Sequence, residues 1–251
     1  MNANHNNGFS GFFVTGTDTE IGKTLIASAL ILKIKALCPE KTVFGFKPVV
    51  AGTYRSGNNA TANEDLESLK LASGYSGNAS DLCPYVLPTP AAPHLVAQSL
   101  GITLELDTML SAFHALHQNA DCMVVEGAGG FLVPMNDQLD LSDFARALNL
   151  PVILVVGMRL GCINHALLTA EAIAQRGLTI AGWVANTLDP AMPFLNENVQ
   201  TLSNRIPAPL LGTVGRLPLP QQHTSNAPYS LEAMQFAAEA LDLSRITRLI
   251  T

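Results

Sequence analysis

The 251-residue sequence predicts an α/β protein of three layers, in which a mostly parallel sheet carries helices on both of its faces. Two observations predict this class. Short apolar runs typical of buried strands alternate along the chain with longer segments of helical periodicity. A glycine-rich turn joins the first of these strands to the first helix, an arrangement common in α/β proteins whose ligands bind at the strand ends.

The first strand-to-helix connection is the segment from Val14 to Thr24, which reads VTGTDTEIGKT. Residues 12–14 before it are apolar and predict a buried strand, whereas residues 25–37 after it carry helical periodicity. The turn therefore presents backbone N–H groups at the start of a helix, where anions bind. This setting predicts a phosphate-binding loop.

Individual residues of this loop fit the chemistry of a nucleotide site. Gly22 allows the backbone to close on an anion, Lys23 can reach the outer phosphates, and the Thr24 hydroxyl can bind Mg²⁺. Five residues separate Gly16 from Gly22, whereas the usual motif has four, so Thr17 occupies the position of the standard first glycine. The loop is thus a variant of the generic motif.

The chain after the first helix predicts a second strand with a lysine at its end. Residues 42–46 are β-rich and end at Lys47, because the proline that follows would stop regular pairing. Residues 49–62 have the glycine and polar content of a loop. A helical pattern then begins at Asn63 and places Asp65 in its first turn.

The middle of the chain contains a proline-rich connection and a third strand. Four prolines between residues 83 and 93 predict an irregular, fairly rigid segment. Residues 106–117 show helical spacing, and residues 122–125 form an apolar strand that breaks at Glu126 and the glycines after it. Glu126 is therefore predicted to lie at the end of a strand.

The remaining sequence continues the alternation. Further helices are predicted over residues 141–148, 164–176 and 194–205 and from residue 231, with strands over residues 152–156, 180–185 and 210–214. The sequence has no internal repeat and no composition shift of the kind that marks a linker. Residues 1–251 are therefore expected to form one domain, preceded by a loose Asn-rich tail over residues 1–10.

Composition narrows the possible partners. The net charge is −6 and the 14 Lys and Arg residues are scattered, which argues against a nucleic-acid surface. Hydrophobic residues make up 48% of the chain, but no apolar run approaches the ~20 residues that span a bilayer. The N-terminus lacks the features of a secretory signal, and the four cysteines are far apart. We therefore expect a cytoplasmic protein without membrane contact, with free thiols.

Polar residues follow several predicted strands at the point where each strand ends. They are the loop at Gly16, Lys47, Glu126, Gly157 and Asn186. Because ligands of open α/β sheets bind beyond the carboxyl ends of the strands, these positions are expected to converge on one site. For Asn186, recognition of a base edge and capping of a strand end are equally compatible with the sequence.

An oxygen-rich magnesium site is expected within this convergence. Thr24, Asp65 and Glu126 could supply the oxygen ligands that Mg²⁺ prefers, although an acid in a first helical turn such as Asp65 often only balances the helix dipole. Lys47 is either solvated, as lysines at loop starts usually are, or a cation that stabilises charge on a transferring phosphoryl group.

The run from Leu160 to Ala166 opens another predicted helix, so its N–H groups could hold a carboxylate. Asn164 would then contribute to the site, but its more frequent role would be that of the helix N-cap. No activating base lies near Cys162 in the sequence, and we therefore do not interpret it as a nucleophile.

Six blocks of the sequence, in this order, closely resemble the dethiobiotin synthetase family of biotin biosynthesis. The blocks are GTDTEIGKT at 16–24, GFKPV at 45–49, VEGAGG at 125–130, LGCINHA at 160–166, GWVAN at 182–186 and IPAPLLG at 206–212. The resemblance covers roughly Gly11 to Leu217, and the ordered set is far more specific than any single block.

The resemblance implies a P-loop NTPase fold and an ATP- and Mg²⁺-dependent ligase. In that family, CO₂ and 7,8-diaminononanoate are joined into the ureido ring of dethiobiotin, with release of ADP and phosphate. A substrate amine captures CO₂ as a carbamate, the carbamate oxygen attacks the γ-phosphate, and the second amine closes the ring. The family further implies a homodimer with its sites at the subunit interface.

The resemblance also implies roles for individual positions. Catalytic roles fall to Thr19, Lys23 and Lys47, and metal binding falls to Thr24, Asp65 and Glu126. The nucleotide would contact Glu20, Ile21, Gly22, Lys23, Thr24, Leu25, Asp65, Glu126, Gly127, Ala128, Gly129, Asn186, Thr187, Gly215, Arg216 and Leu217. The substrate would contact Thr19 and Lys47, and its carboxylate would be received by the neighbouring subunit's Gly161, Cys162, Ile163 and Asn164.

One position departs from the family pattern. The family commonly places a substrate-contacting serine four residues after the catalytic lysine, where this sequence has Ala51, so that Thr53 or a backbone group would replace it.

Two other functions share this style of loop. An ATP-dependent amide ligase of cofactor synthesis would need an ammonia source, and no glutamine-cleaving domain is visible in the sequence. A partitioning-type ATPase switch typically has a lysine early in the loop, where this chain has Asp18. Both alternatives fit the sequence less well than the dethiobiotin synthetases.

Overall fold

A parallel sheet of six strands forms the centre of the computed structural model, which describes residues 10–55, 61–218 and 226–250. The strands of the described chain are β1 (Gly11–Gly16), β2 (Val43–Phe46), β3 (Val49–Ala51), β4 (Tyr54–Arg55), β5 (Thr61–Ala62), β6 (Tyr85–Leu87), β7 (Cys122–Glu126), β8 (Val152–Met158), β9 (Ile180–Thr187) and β10 (Leu210–Val214). The central sheet has the order β10-β9-β8-β1-β7-β2, and every neighbouring pair is parallel. The predicted parallel sheet is confirmed.

Helices flank this sheet on both faces, as predicted. They are α1 (Lys23–Leu37), α2 (Glu64–Ser73), α3 (Pro93–Ser99), α4 (Leu106–His117), α5 (Leu141–Leu148), α6 (Cys162–Gln175), α7 (Leu195–Arg205) and α8 (Leu231–Glu239). Helix α1 packs between α2 and α8, whereas α6 packs against α7 and α4 against α5. None of the described helices is long and apolar enough to cross a membrane.

The apolar content of the sequence is explained by elements that are buried on all sides. All seven residues of β8 are buried, as expected for an inner strand covered on both faces. Helix α1 is buried from Lys23 to Ile31, because the sheet, α2 and α8 surround it. The four cysteines are free and buried as well.

Two segments predicted as irregular contain short strands. β3 pairs in parallel with β6, and β4 pairs with β5 in an antiparallel ribbon, so the loop predicted over residues 49–62 is partly wrong. Pro84 and Pro88 flank the three residues of β6, where they do not interrupt its pairing. A short helix, α3, then begins at Pro93, because proline suits the first helical position.

Two inner strands and one helix differ from their predicted limits. β8 and β9 continue to Met158 and Thr187, because backbone pairing of Gly157 with Asn186 and of Met158 with Thr187 extends the ladder past the apolar run. Helix α6 begins at Cys162 with Gly161 as its N-cap, so the interpretation of Asn164 as the N-cap is wrong. The predicted N-terminal tail, apart from Ser10, lies outside the described residues.

Candidate active site

A cleft with a volume of about 910 Å³ lies beyond the carboxyl ends of the central strands. Its walls come from the loop after β1, from the segment after β2, from the start of α2 and from the connection after β7. The predicted site residues that line it are Thr19, Glu20, Gly22, Lys23, Thr24, Lys47, Asp65, Glu126, Ala128 and Gly129. Of the strand ends that were expected to converge, the loop after Gly16, Lys47 and Glu126 do so, whereas Gly157 and Asn186 do not line the cleft.

The loop after β1 turns sharply into α1. Gly22 is the N-cap of α1 and has a left-handed φ of 86°, which glycine adopts without a steric penalty. The side-chain amide of Asn186 donates a hydrogen bond to the Ile21 carbonyl at 2.7 Å and so supports the loop from β9. This buried contact gives the Asn186 amide a role in supporting the loop, in addition to the two roles that the sequence left open.

Lys23 points back across the loop. Its ammonium donates to the Asp18 carbonyl at 2.7 Å, and the side chain is buried. Burial, followed by the positive charge of Lys47, lowers the pKa of Lys23 to about 8. Arg159, which follows β8, forms an ion pair with the Asp18 carboxylate and so joins the β8–α6 connection to the same loop.

Two carboxylates meet at the Thr24 hydroxyl. Its oxygen lies 2.7 Å from Asp65 Oδ1 and 2.8 Å from Glu126 Oε1. Asn63 positions Asp65, because its side chain caps α2 and accepts the Asp65 N–H at 3.0 Å. Asp65 therefore lies in the first turn of α2 and also contributes its carboxylate to the cleft.

Lys47 joins the same carboxylates from the other side. Its ammonium lies 2.6 Å from Asp65 Oδ2 and 2.7 Å from Glu126 Oε1, and only 4% of the residue is exposed. A solvated role for Lys47 is therefore excluded. Burial acts to lower the pKa of Lys47, but the charges of Asp65 and Glu126 outweigh it and raise that pKa above its ordinary value.

The pKa values of the two carboxylates are shifted in opposite directions by this environment. Burial raises the pKa of Glu126, which is fully enclosed, and the charge of Lys47 opposes the change. Burial also acts to raise the pKa of Asp65, but Lys47 prevails and lowers it. Lys47 therefore holds Asp65 ionised.

The donor set around Thr24 suits a hard divalent cation such as Mg²⁺. The hydroxyl carries one hydrogen, yet two carboxylate oxygens approach its oxygen, so three oxygens are gathered within hydrogen-bond distance. Glu126 Oε2 is buried and has no hydrogen-bond partner among the described residues. No group of three or more His, Cys, Asp and Glu side chains within the described ranges could hold a metal, and a site here would combine two carboxylates with one hydroxyl.

Other predicted residues lie behind or away from the cleft. The cleft lining does not include Ile21, Leu25, Gly127 or Thr187, and all four of these residues are buried. The ranges 161–164 and 215–217 do not line the cleft of this chain.

Several lining residues were not predicted from the sequence, and His94 and Tyr229 are two of them. His94 belongs to α3 and directly follows residues 83–93, which were predicted to be irregular, and Tyr229 precedes α8 near the C-terminus. Neither lies in a motif, so only a strand-end argument applied to every connection could have suggested them. Ala51 also lines the cleft, whereas Thr53 does not.

Comparison with known proteins places this geometry in a family. A sequence-family model described as an AAA domain matches residues 10–224. The ATP-dependent dethiobiotin synthetase BioD of Ralstonia nicotianae is 51% identical over 208 residues, which make up 83% of this chain and 90% of that protein. The BioD of Aromatoleum aromaticum is 50% identical over 203 residues, 81% of this chain and 89% of that protein.

Solved structures agree in fold. The cell division ATPase MinD of Pyrococcus furiosus superposes with a TM-score of 0.52 at 16% identity, over 95% of this chain and 99% of that one. A ParA family ATPase of Chlorobium tepidum superposes with a TM-score of 0.51 at 15% identity, over 96% of both chains. At such low sequence identities, the similarity to these two structures establishes only the P-loop NTPase fold. The identity of 50–51% to the two BioD proteins, over most of each chain, establishes membership of their family. The chain belongs to the ATP-dependent dethiobiotin synthetase family of ligases.

Proposed function

We propose that the protein catalyses the ATP- and Mg²⁺-dependent closure of a cyclic urea on 7,8-diaminononanoate with CO₂, which yields dethiobiotin, ADP and phosphate. The printed names of the half-identical relatives support this reaction. The observation in the fold that carries the proposal is the position of Lys47. A nucleotide switch needs only the phosphate-binding loop, whereas here a second buried cation contacts both carboxylates that reach Thr24.

Different groups of the chain would carry out different parts of such a reaction. The N–H groups at the start of α1 and the Lys23 ammonium would bind the phosphates. Lys47 would stabilise the negative charge that develops when a carbamate oxygen attacks the γ-phosphate. The walls of the cleft would align the diamine and exclude competing water, because this chemistry depends mainly on positioning and charge.

Thr24, Asp65 and Glu126 would hold Mg²⁺. The unpartnered Glu126 Oε2 supports this assignment, because a buried carboxylate oxygen otherwise bears an uncompensated desolvation cost. When bound, the ion would neutralise charge on phosphate oxygens. Asn63 would contribute indirectly by fixing the helix turn that carries Asp65.

The test is an incubation of the purified protein with ATP, Mg²⁺, bicarbonate and 7,8-diaminononanoate. We expect phosphate release only when the diamine and Mg²⁺ are both present, together with a new cyclic urea that mass spectrometry identifies directly. Parallel samples omit the diamine or replace Mg²⁺ with a chelator. Phosphate release without the diamine would instead favour a nucleotide switch, and full turnover in the chelator would remove Mg²⁺ from the mechanism.

We also propose that two copies of the chain pair through the surface around the start of α6. Leu160 is 97% exposed, and exposed apolar side chains also occur on α6, at Leu168, and at the N-cap of α7, at Phe194. Because α6 and α7 contact each other, these side chains belong to neighbouring elements, and exposed large apolar side chains can mark an interaction surface. Such pairing would bring residues 161–164, which do not line the cleft of their own chain, to the cleft of the partner.

Light scattering coupled to size exclusion tests this pairing. We expect the wild type to elute at twice the chain mass and Leu160→Asp to shift toward the monomer, because burying an unpaired charge in an interface is costly. Leu100→Asp is a matched control, since Leu100 is 49% exposed and lies at the end of α3. A monomeric wild type, or equal behaviour of the two variants, would contradict the assignment.

A further inference from the structure

Tyr229 lines the cleft and comes from a part of the chain that the family model does not cover. The matched AAA domain ends at residue 224, and Tyr229 lies just before α8. Ser230 caps that helix, with its side chain accepting the Ala233 N–H at 3.2 Å. The capped start of α8 therefore gives the backbone next to Tyr229 a defined position.

The backbone of Tyr229 is attached to the helix that carries Asp65. Its N–H donates to Ser68 Oγ at 3.0 Å, and the fully buried Ser68 in turn donates to the Glu64 carbonyl at 2.6 Å. Ser68 lies about one helical turn after Asp65. Because α8 also packs against α1, the segment before α8 bridges the helices that carry Thr24 and Asp65.

The chemistry of the phenol suits an anionic ligand. The Tyr229 hydroxyl is protonated at neutral pH, as an ordinary phenol is, and burial, followed by the negative charges of Asp65 and Glu126, raises its pKa further. A protonated phenol is a hydrogen-bond donor and brings no negative charge to a cleft that already contains two carboxylates. The chain has four tyrosines, and the other three do not line the cleft.

We propose that Tyr229 is a nucleotide-binding residue supplied by the C-terminal segment: its ring forms a wall of the cleft beside Asp65, and its hydroxyl donates a hydrogen bond to an oxygen of the bound nucleoside triphosphate. This inference rests on one part of the proposed function, the binding of a nucleotide in this cleft. It is independent of the reaction with the diamine. Sequence motifs do not reach this residue, because it is separated from the loop by most of the chain.

The direct test removes only the hydroxyl. Calorimetric titration of Tyr229→Phe with a non-hydrolysable ATP analogue and Mg²⁺, without diamine, should show affinity lowered about tenfold, because hydrogen bonds to charged groups are worth more than neutral ones. Tyr75→Phe is the matched control. The Tyr75 hydroxyl lies 3.2 Å from Asp81 Oδ2, outside the cleft, and this variant should bind as the wild type does.

A second measurement keeps the Tyr229 hydroxyl and replaces one ring hydrogen with fluorine. The protein labelled with 3-fluorotyrosine should give four ¹⁹F resonances, assigned through phenylalanine variants of the other three tyrosines. The ATP analogue should shift the Tyr229 resonance more than that of Tyr75. Equal affinities of wild type and Tyr229→Phe, or an unchanged Tyr229 resonance at saturating nucleotide, would overturn the inference.

These outcomes are separable from a failure of the proposed reaction. If no cyclic urea forms but nucleotide affinity depends on Tyr229, the inference stands and the reaction is wrong. If the cyclic urea forms and affinity is indifferent to Tyr229, the reaction stands and the inference falls.

Discussion

Replacing Lys47 with glutamine should lower the turnover of the proposed reaction by about 10²–10³-fold, the usual consequence of removing one preorganised donor from a developing charge. Glutamine keeps two N–H donors, so hydrogen bonds to Asp65 and Glu126 can persist while the positive charge is lost. Nucleotide affinity should change little, because the loop and Lys23 remain. Steady-state phosphate release and a separate binding titration distinguish the two quantities.

Lys70→Gln is the control for this experiment. It makes the same chemical change on α2, at a lysine that does not line the cleft, and should leave turnover unchanged. Lys47→Arg keeps the positive charge on a side chain of different shape, so its turnover should lie between those of Lys47→Gln and the wild type. Wild-type turnover in Lys47→Gln would remove Lys47 from the mechanism.

Replacing Gly22 with alanine should weaken nucleotide binding on the order of 100-fold. A Cβ atom at Gly22 would lie 2.2 Å from the Asn186 amide nitrogen, and the backbone there has a φ of 86°. The left-handed strain and the lost support of the loop together cost about 2–3 kcal/mol, which corresponds to that factor if the loop bears it. Titration with a non-hydrolysable ATP analogue measures the change.

Two further variants show whether backbone strain or the clash with Asn186 lowers the nucleotide affinity of Gly22→Ala. Gly101→Ala carries the strain without the clash, since Gly101 has a φ of 68° and nothing lies within 4 Å of its Cβ position; it should bind nucleotide normally. The double variant of Gly22→Ala with Asn186→Ala should lose less affinity than the sum of the single losses, because the clash is gone. Strict additivity would show that the Gly22–Asn186 contact does not shape the loop.

Several features of the fold were predictable because they are local. The apolar runs at β1, β7, β8 and β9 and the helical pattern of α1 each arise from contiguous residues, and their alternation implies parallel pairing. Their limits were less predictable, since backbone pairing carried β8 and β9 two residues beyond the apolar signal. β3 and β6 were missed, because a three-residue strand after Pro48 and another between Pro84 and Pro88 resemble loops.

The site could be predicted where its residues lie at the ends of strands in the parallel sheet. Lys47 and Glu126 each follow a strand of the same parallel sheet, and so their meeting follows from topology. The roles assigned to individual residues, the cytoplasmic location and the organisation of residues 1–251 as one ligase domain stay predictions. In the part of the chain that the structure describes, the larger of two apolar clusters extends from β1 to Ile250.

By itself, the sequence determined the parallel α/β class, the phosphate-binding loop and the family, because these depend on order and spacing along the chain. Only the tertiary structure decided which side chains share the cleft. The Asn186 contact with the Ile21 carbonyl joins residues 165 positions apart, and the Tyr229 contact with Ser68 joins residues 161 positions apart. Such contacts depend on helix packing and side-chain direction across the sheet, which no local pattern of residues encodes.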